Sequence, residues 1–535
     1  MVLLSSTSVV IICSFVMLFI VDINCSKILI YPLNVRSHAM IASQFGDALT
    51  EHNQNVDMLL ATNNGFRLDT DSKINLVRYP VSANMPFDET KESSSLQLDV
   101  CSAEEKSTFE YIFSSMNAYN TFARNFKSEC EELLQNTELL ARLKRNQYDL
   151  IVLDNFEIVC YPTLAYKLDL PLVVLTLPVL SWAYRIPTLP SVQPNPCIFM
   201  TDRMTLYERL RNFVPFLAQE LYIYFIESTY YVKKYVSERT VKLPSDILRS
   251  ASMWFYIYDP IAYYPSPRLP NSVDIGDLVM RDSKELPIEY KQLLSRPGQK
   301  VVLMSMGTVF NHMPVSIQTK FCDAFRLLSD NITVIWRSNT IQTCSLPSNI
   351  IIRSWVPQND LLGSYLGVDL FITHAGGKSY AEAAYHGVAM IAFPVAMDQI
   401  GNAAAMQSKG IGIRMNLMSF KPQELTDNIY AILGKANVTV NVARLSKLLH
   451  FDRPHNAKQR IAYWIEHLIE YGGDHLRSAG QDMPLYQFFM LDLLVLAIVI
   501  SFFGVLVVLI IFRHMRKLLS YYRDLKSFDR KEKQS

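Results

Sequence analysis

Phe371-Ile-Thr-His-Ala-Gly-Gly-Lys-Ser-Tyr-Ala-Glu382, followed by Ala389-Met-Ile-Ala-Phe-Pro394 and Met397-Asp398-Gln399, is the stretch from which the rest of this chain is best read. The apolar run 369–373 ends in a His and small residues, and the helix-forming stretch 378–387 follows at once. This pattern predicts strand, tight turn and helix start. Free backbone N–H groups and the positive end of the helix dipole meet at such a junction, and both favour an anion. Ala375, Gly376 and Gly377 let a phosphate come close to the main chain.

On either side of this junction the sequence alternates apolar runs with helical segments, which predicts an α/β fold of parallel sheets covered by helices. Lys27-Ile-Leu-Ile-Tyr-Pro reads as a first strand, with a helix after Asn34 to Ser37, and 148–154 and 171–176 bracket another helix in a βαβ unit. A second series begins at Lys300-Val-Val-Leu-Met-Ser-Met-Gly and runs through 332–336, 349–352, 369–373 and 389–394. Pro265, Pro267, Pro270 and Pro287 mark a linker between the two. The expectation is two Rossmann-like domains facing a cleft: 26–270, a linker over 271–286, and 287–486. No GxGxxG follows either first strand, which argues against a dinucleotide cofactor. The apolar face of the helix around 454–471, with Ile461, Trp464, Ile465 and Leu468, suits either a return across the first domain or packing within the second.

The ends of the chain concern membranes. Residues 3–21 are apolar with no acid before Asp22, predicting a signal peptide over 1–25, or a retained anchor because the start lacks Lys and Arg. Residues 488–512 form an apolar segment whose length at ~1.5 Å per residue exceeds a ~30 Å hydrocarbon core. Asp492 is its one charge, near the edge. The basic tail 513–535 follows, so the positive-inside rule orients the body into the lumen. Lys531 and Lys533 resemble a dilysine retrieval signal of the endoplasmic reticulum; a stop-transfer tail meeting anionic headgroups of membrane lipid reads equally well. With 51 Lys and Arg against 50 Asp and Glu, no nucleic-acid footprint is present. Of eight cysteines, Cys101, Cys130, Cys160, Cys197, Cys322 and Cys344 lie beyond the signal, without zinc-ligand spacing, and an oxidising lumen allows one or two disulfides. Asn331 and Asn437 head glycosylation sequons.

The stretch from Phe371 to Gln399 resembles the donor-binding signature of the UDP-glycosyltransferases, including animal UDP-glucuronosyltransferases. It departs from that pattern at Ala375 and Ala389, where Gly and Pro are usual, at Lys378, where Asn is usual, and at Ile400. The resemblance implies the GT-B architecture, with one C-terminal transmembrane helix. It also implies donor-binding roles in the second domain. Trp355 stacks on uracil and Gln358 reads its edge; His374, Gly376 and the following amides face the diphosphate; Lys378 pairs with or crowds it. Glu382 accepts from ribose hydroxyls, and Asp398 and Gln399 grip the sugar. Ser305 and Thr308, at another strand end, touch phosphate or sugar, or are turn hydroxyls.

In the first domain, Ser37-His38 resembles the family's acceptor-site segment and puts the general base on His38. Asp154, at the end of a strand, corresponds to the supporting carboxylate, since a carboxylate on the far nitrogen fixes the tautomer and stabilises the imidazolium. Without that context His38 reads as a capping residue, Asp154 as a helix N-cap, Trp355 as core and Glu382 as a solvated helix face. Asp149 is the weaker carboxylate. Phe87, Phe109, Phe113, Tyr119 and 182–184 are candidate lining for a lipophilic acceptor.

These readings add up to an inverting transferase moving glucuronic acid or glucose from UDP-glucuronate or UDP-glucose to small lipophilic acceptors. No metal and no resident cofactor are expected, because no Asp-x-Asp stands beside the constellation. A donor-binding pseudoenzyme, or a carrier that kept only the fold, is the rival reading, and homo- or hetero-oligomeric assembly stays open.

Overall fold

The computed structural model describes residues 25–83, 90–106, 108–156, 158–177, 181–295, 298–307, 313–338, 345–451 and 455–532. Residues 1–25 of the expected signal peptide therefore lie outside it save Cys25, as do Phe87, Thr308, Cys344 and Lys533.

Among the described residues up to Arg477, two wholly parallel sheets organise the chain. The first has seven strands: β1 (Lys27–Tyr31), β2 (Asn55–Ala61), β3 (Asn75–Tyr79), β4 (Leu150–Asp154), β5 (Leu172–Thr176), β6 (Met253–Tyr256) and β7 (Ser272–Asp274). Their order is β3-β2-β1-β4-β5-β6-β7. The second has six: β8 (Lys300–Ser305), β9 (Ile332–Arg337), β10 (Ile350–Arg353), β11 (Leu370–Thr373), β12 (Ala389–Ala392) and β13 (Gly412–Arg414), in the order β10-β9-β8-β11-β12-β13. The central strands are unbroken apolar runs buried along their length, such as Leu-Ile-Val-Leu-Asp in β4 and Leu-Phe-Ile-Thr in β11. That pattern is what a parallel sheet covered by helices on both faces requires.

Strand order reverses between β1 and β4 in the first sheet and between β8 and β11 in the second. Connections diverge to opposite faces at such a point, leaving a crevice beyond the carboxyl ends of the strands, and ligands bind there. His38 and Asp154 follow β1 and end β4; Gly307 and His374 follow β8 and β11. Topology alone thus carries each pair of residues to a crevice.

One boundary differs from the sequence reading, and of the two packings open to the helix near 454–471 the return across the first domain is the one observed. Residues 272–274, expected in the linker 271–286, are the edge strand β7, because Trp254 to Tyr256 offer a free ladder to pair with. A 3-10 turn, Gly276–Val279, comes next. The helix Ala457–Tyr471 buries Ala457, Ile461, Ile465 and Leu468 in the core of the first sheet, beside Ala39 and Phe45. Lys458–Glu51 and Arg460–Asp277 ion pairs tie it there. In the other direction, Cys101 on the helix Lys91–Lys106 is buried in the core of the second sheet. Cys130 and Cys160 form a disulfide, and Cys322 is also disulfide-bonded.

Residues 478–535 form a separate unit dominated by the helix Leu491–Glu532. Its stretch Leu491–Asp524 is long and apolar enough to cross a membrane. The basic residues expected in a distinct tail continue the same helix to Glu532.

Candidate active site

His38 sits in the first turn of the helix Arg36–Thr50, whose N-cap Val35 provides no side-chain cap. Its Nδ1 lies 2.5 Å from Asp154 Oδ2, and Asp154 Oδ1 accepts the Phe156 N–H at 3.1 Å. The carboxylate is thus held by its own loop and aimed at the imidazole. Nδ1–H donating to a carboxylate leaves Nε2 as the acceptor nitrogen. Asp149 has a different task, accepting the Lys27 N–H at 2.7 Å and pinning the start of β1.

A cavity of about 380 Å³ lies between the two sheets and is lined from both. Tyr119, Phe156 and Ile158 come from the first half, and Gly377, Lys378 and Asp398 from the second. The helix Leu206–Ile226 presents Pro215, Ala218, Gln219, Tyr222 and Ile223, none of them among the lining expected from sequence. Of the lining expected from sequence, Tyr119 and Tyr184 face the cavity. Phe113 is 70% exposed, and Trp182 packs on Phe216 instead, 4.6 Å between ring centroids. The side chain of Phe109 lies outside the described residues.

Asp398 opens the helix Asp398–Ser408 and accepts from Asn402 Nδ2 at 2.8 Å; Asn402 also donates to Ala375 O at 2.9 Å. Burial pushes the Asp398 carboxyl above its ordinary range, while Asn402, the Gly377 amide and the charge of His38 pull it back. Tyr263 reinforces this junction, with its OH 3.4 Å from Gly377 O.

The turns after β8 and β11 pack around His374. Gly376 and Gly307 crowd its ring, so that a Cβ on either would stand 2.4 or 2.5 Å from imidazole atoms. Burial, then the charge of Arg337, pushes the His374 pKa down to about 4. The imidazole is thus neutral at pH 7 and carries one ring N–H. Ser305 is buried at the end of β8 with its Oγ unpartnered. Glu382 is buried beneath Lys378, which forms an ion pair with its Oε1, and Gln358, whose Nε2 donates to its Oε2 at 2.8 Å. Gln358 thus turns toward Glu382 and Ser379. Gln399, expected at the sugar, uses Oε1 to accept the Val395 and Ala396 amides at 2.8 and 3.2 Å, clamping the loop before its helix. Trp355 is 55% exposed beside β10.

A family model described as UDP-glucoronosyl and UDP-glucosyl transferase matches residues 26–532. The chain belongs to this family. It is 31% identical to human UDP-glucuronosyltransferase 1A1 over 383 residues, covering 70% of this chain and 71% of that protein. Human UDP-glucuronosyltransferase 1A10 is 30% identical over 417 residues, 75% of each chain. Among solved structures, spinosyn forosaminyltransferase SpnP superposes with a TM-score of 0.56 at 16% identity, over 83% of this chain and 99% of that one. Glycosyltransferase VinC in complex with DTDP gives 0.55 at 16%, over 83% and 100%. These two establish the GT-B fold.

Within this glycosyltransferase, the departures from the family pattern have local consequences. Ala375, standing for Gly, keeps the left-handed backbone a Gly would adopt, φ 61°. Lys378 covers Glu382. Two residues beside Trp355 escaped the sequence reading, Arg36 and Arg337, whose guanidinium carbons lie 5.5 and 5.3 Å from its ring centroid. Each is unremarkable in its own segment, and only the fold brings them together.

Proposed function

We propose that this glycosyltransferase moves glucuronic acid or glucose from a UDP-sugar to a hydroxyl of a small lipophilic acceptor, with inversion at the anomeric carbon. The His38–Asp154 pair, at the strand end next to a cavity that Asn155 and Phe156 line from the first sheet's half and Asp398 from the second's, is the observation that carries this reading. His38 Nε2 takes the acceptor proton as the acceptor oxygen attacks C1 from the face opposite UDP. The C1–O bond to the β-phosphate breaks, and UDP leaves with the electron pair. Asp154 stabilises the imidazolium that results. The His374 N–H, the Gly376 and Gly377 amides and Arg337 stabilise the departing charge. Trp355 stacks on uracil, Glu382 accepts from ribose, and Asp398 holds sugar hydroxyls. Aromatic and aliphatic lining suits a lipophilic acceptor.

The membrane placement belongs to the same reading: type I, in the endoplasmic reticulum, with the catalytic body lumenal. The Cys130–Cys160 disulfide supports an oxidising compartment.

The Lys378–Glu382 ion pair favours a second reading, a donor-binding pseudoenzyme in which the ribose carboxylate stays occupied. Microsomes containing the full chain, given UDP-glucuronate or UDP-glucose and a phenol, separate the two. Conjugate formation by the native chain supports transfer. No product from the native chain, with product gained in Lys378→Asn, establishes the pseudoenzyme.

A further inference from the structure

Among the described residues, positive charge gathers without counter-charge around Trp355. Arg36 is the first residue of its helix and Arg337 the last of β9, and both guanidinium groups lie over the same indole. Burial, then the charge of Arg36, holds Arg337 below its ordinary value, so the two cations sense each other. Among the described residues no carboxylate pairs with either arginine. Arg337 donates to Gly307 O at 2.6 Å, yet its Nε–H is buried without a partner. The Nδ1 of His374, a residue only 8% exposed, is likewise unpartnered.

This arrangement is unfavourable by itself. Like charges repel, a buried guanidinium N–H lacks an acceptor, and Arg36 stands at the positive end of a helix dipole with no acid in the first turn. One anion with several oxygens relieves all three. The flanking groups, Gly307, Gly376 and the His374 ring, are those that would hold the donor's phosphates.

We propose that Arg36 is a ligand of the donor diphosphate, reaching from the first domain to phosphates cradled by the second. This rests on the reading of the second domain as the UDP-sugar site. The diphosphate then bridges the two domains, and Arg36 draws its own helix, and with it His38 two residues on, toward the anomeric carbon. A planar guanidinium suits this task, since it engages two phosphate oxygens at once while keeping a ring face for the indole.

The test is competition binding of UDP and of uridine to the purified full chain, native against Arg36→Gln and Arg36→Lys. The expected result is that Arg36→Gln weakens UDP about tenfold or more, as loss of a charge-assisted hydrogen bond does. Uridine binding stays unchanged, so the preference for UDP shrinks, and Arg36→Lys retains part of it. Unchanged UDP affinity, or equal weakening of UDP and uridine, overturns the inference, because Arg36 then only stacks on Trp355. A native chain that binds no UDP overturns the donor reading along with it.

Discussion

His374 shows how far the surroundings of one residue govern what it contributes. Its ring is packed between two glycines beside an arginine, and its pKa falls from 6.5 to about 4. Because the folded value lies below the unfolded one, both states bind protons alike above pH 6.5. As pH falls toward 4 the unfolded chain takes up a proton that the folded chain refuses, and stability is lost. At pH 5 this penalty is about 2 kcal/mol. His374→Gln, which cannot titrate, is expected to lose correspondingly less stability than the native chain between pH 7 and pH 5. Denaturant unfolding of both proteins in detergent at the two pH values checks this; identical pH dependence would show that His374 is not held neutral. Asp398 works in the opposite sense, its carboxyl raised by burial and restrained by His38.

At the scale of elements, the turns that end β8 and β11 set the site. Gly307 has φ 73°, and a Cβ there would meet His374 at 2.5 Å. Gly307→Ala therefore combines a left-handed backbone penalty with overpacking, and a loss of about 1–3 kcal/mol is expected. UDP affinity should fall with it, because the imidazole must move; thermal unfolding and UDP titration measure the two effects. A variant with native stability and affinity would mean that this turn does not position His374. The β11 turn and helix start were legible in the sequence because apolar run, small residues and helical period follow one another without a gap. Asp154 was legible for the same reason, as a carboxylate ending an apolar strand. Arg36 and Arg337 were not, since Trp355 meets them only after both sheets have formed and no local spacing encodes that contact. The inner stripe of the helix Leu206–Ile226 was hidden differently: an apolar helix face looks the same whether it meets core or cavity. The turns of Gln358 toward Glu382 and of Gln399 toward its own loop are hydrogen-bond choices that residue identity leaves open.

For the molecule as a whole, two sheets each place their reversal of strand order at one cleft, and segments cross over to keep them facing. The helix Ala457–Tyr471 belongs in sequence to the second half and in packing to the first, while Cys101 on the helix Lys91–Lys106 does the reverse. These exchanges keep the two halves around one cavity, which Asn155 and Phe156 line from the first and Asp398 from the second. The measurement that bears most directly on this account is conjugate formation from a UDP-sugar and a phenol by the full chain and by His38→Ala, with UDP binding followed in parallel. The account predicts that His38→Ala binds UDP as the native protein does and loses turnover by about 10²-fold or more, the usual contribution of a positioned general base. Turnover by His38→Ala equal to that of the native chain would contradict it.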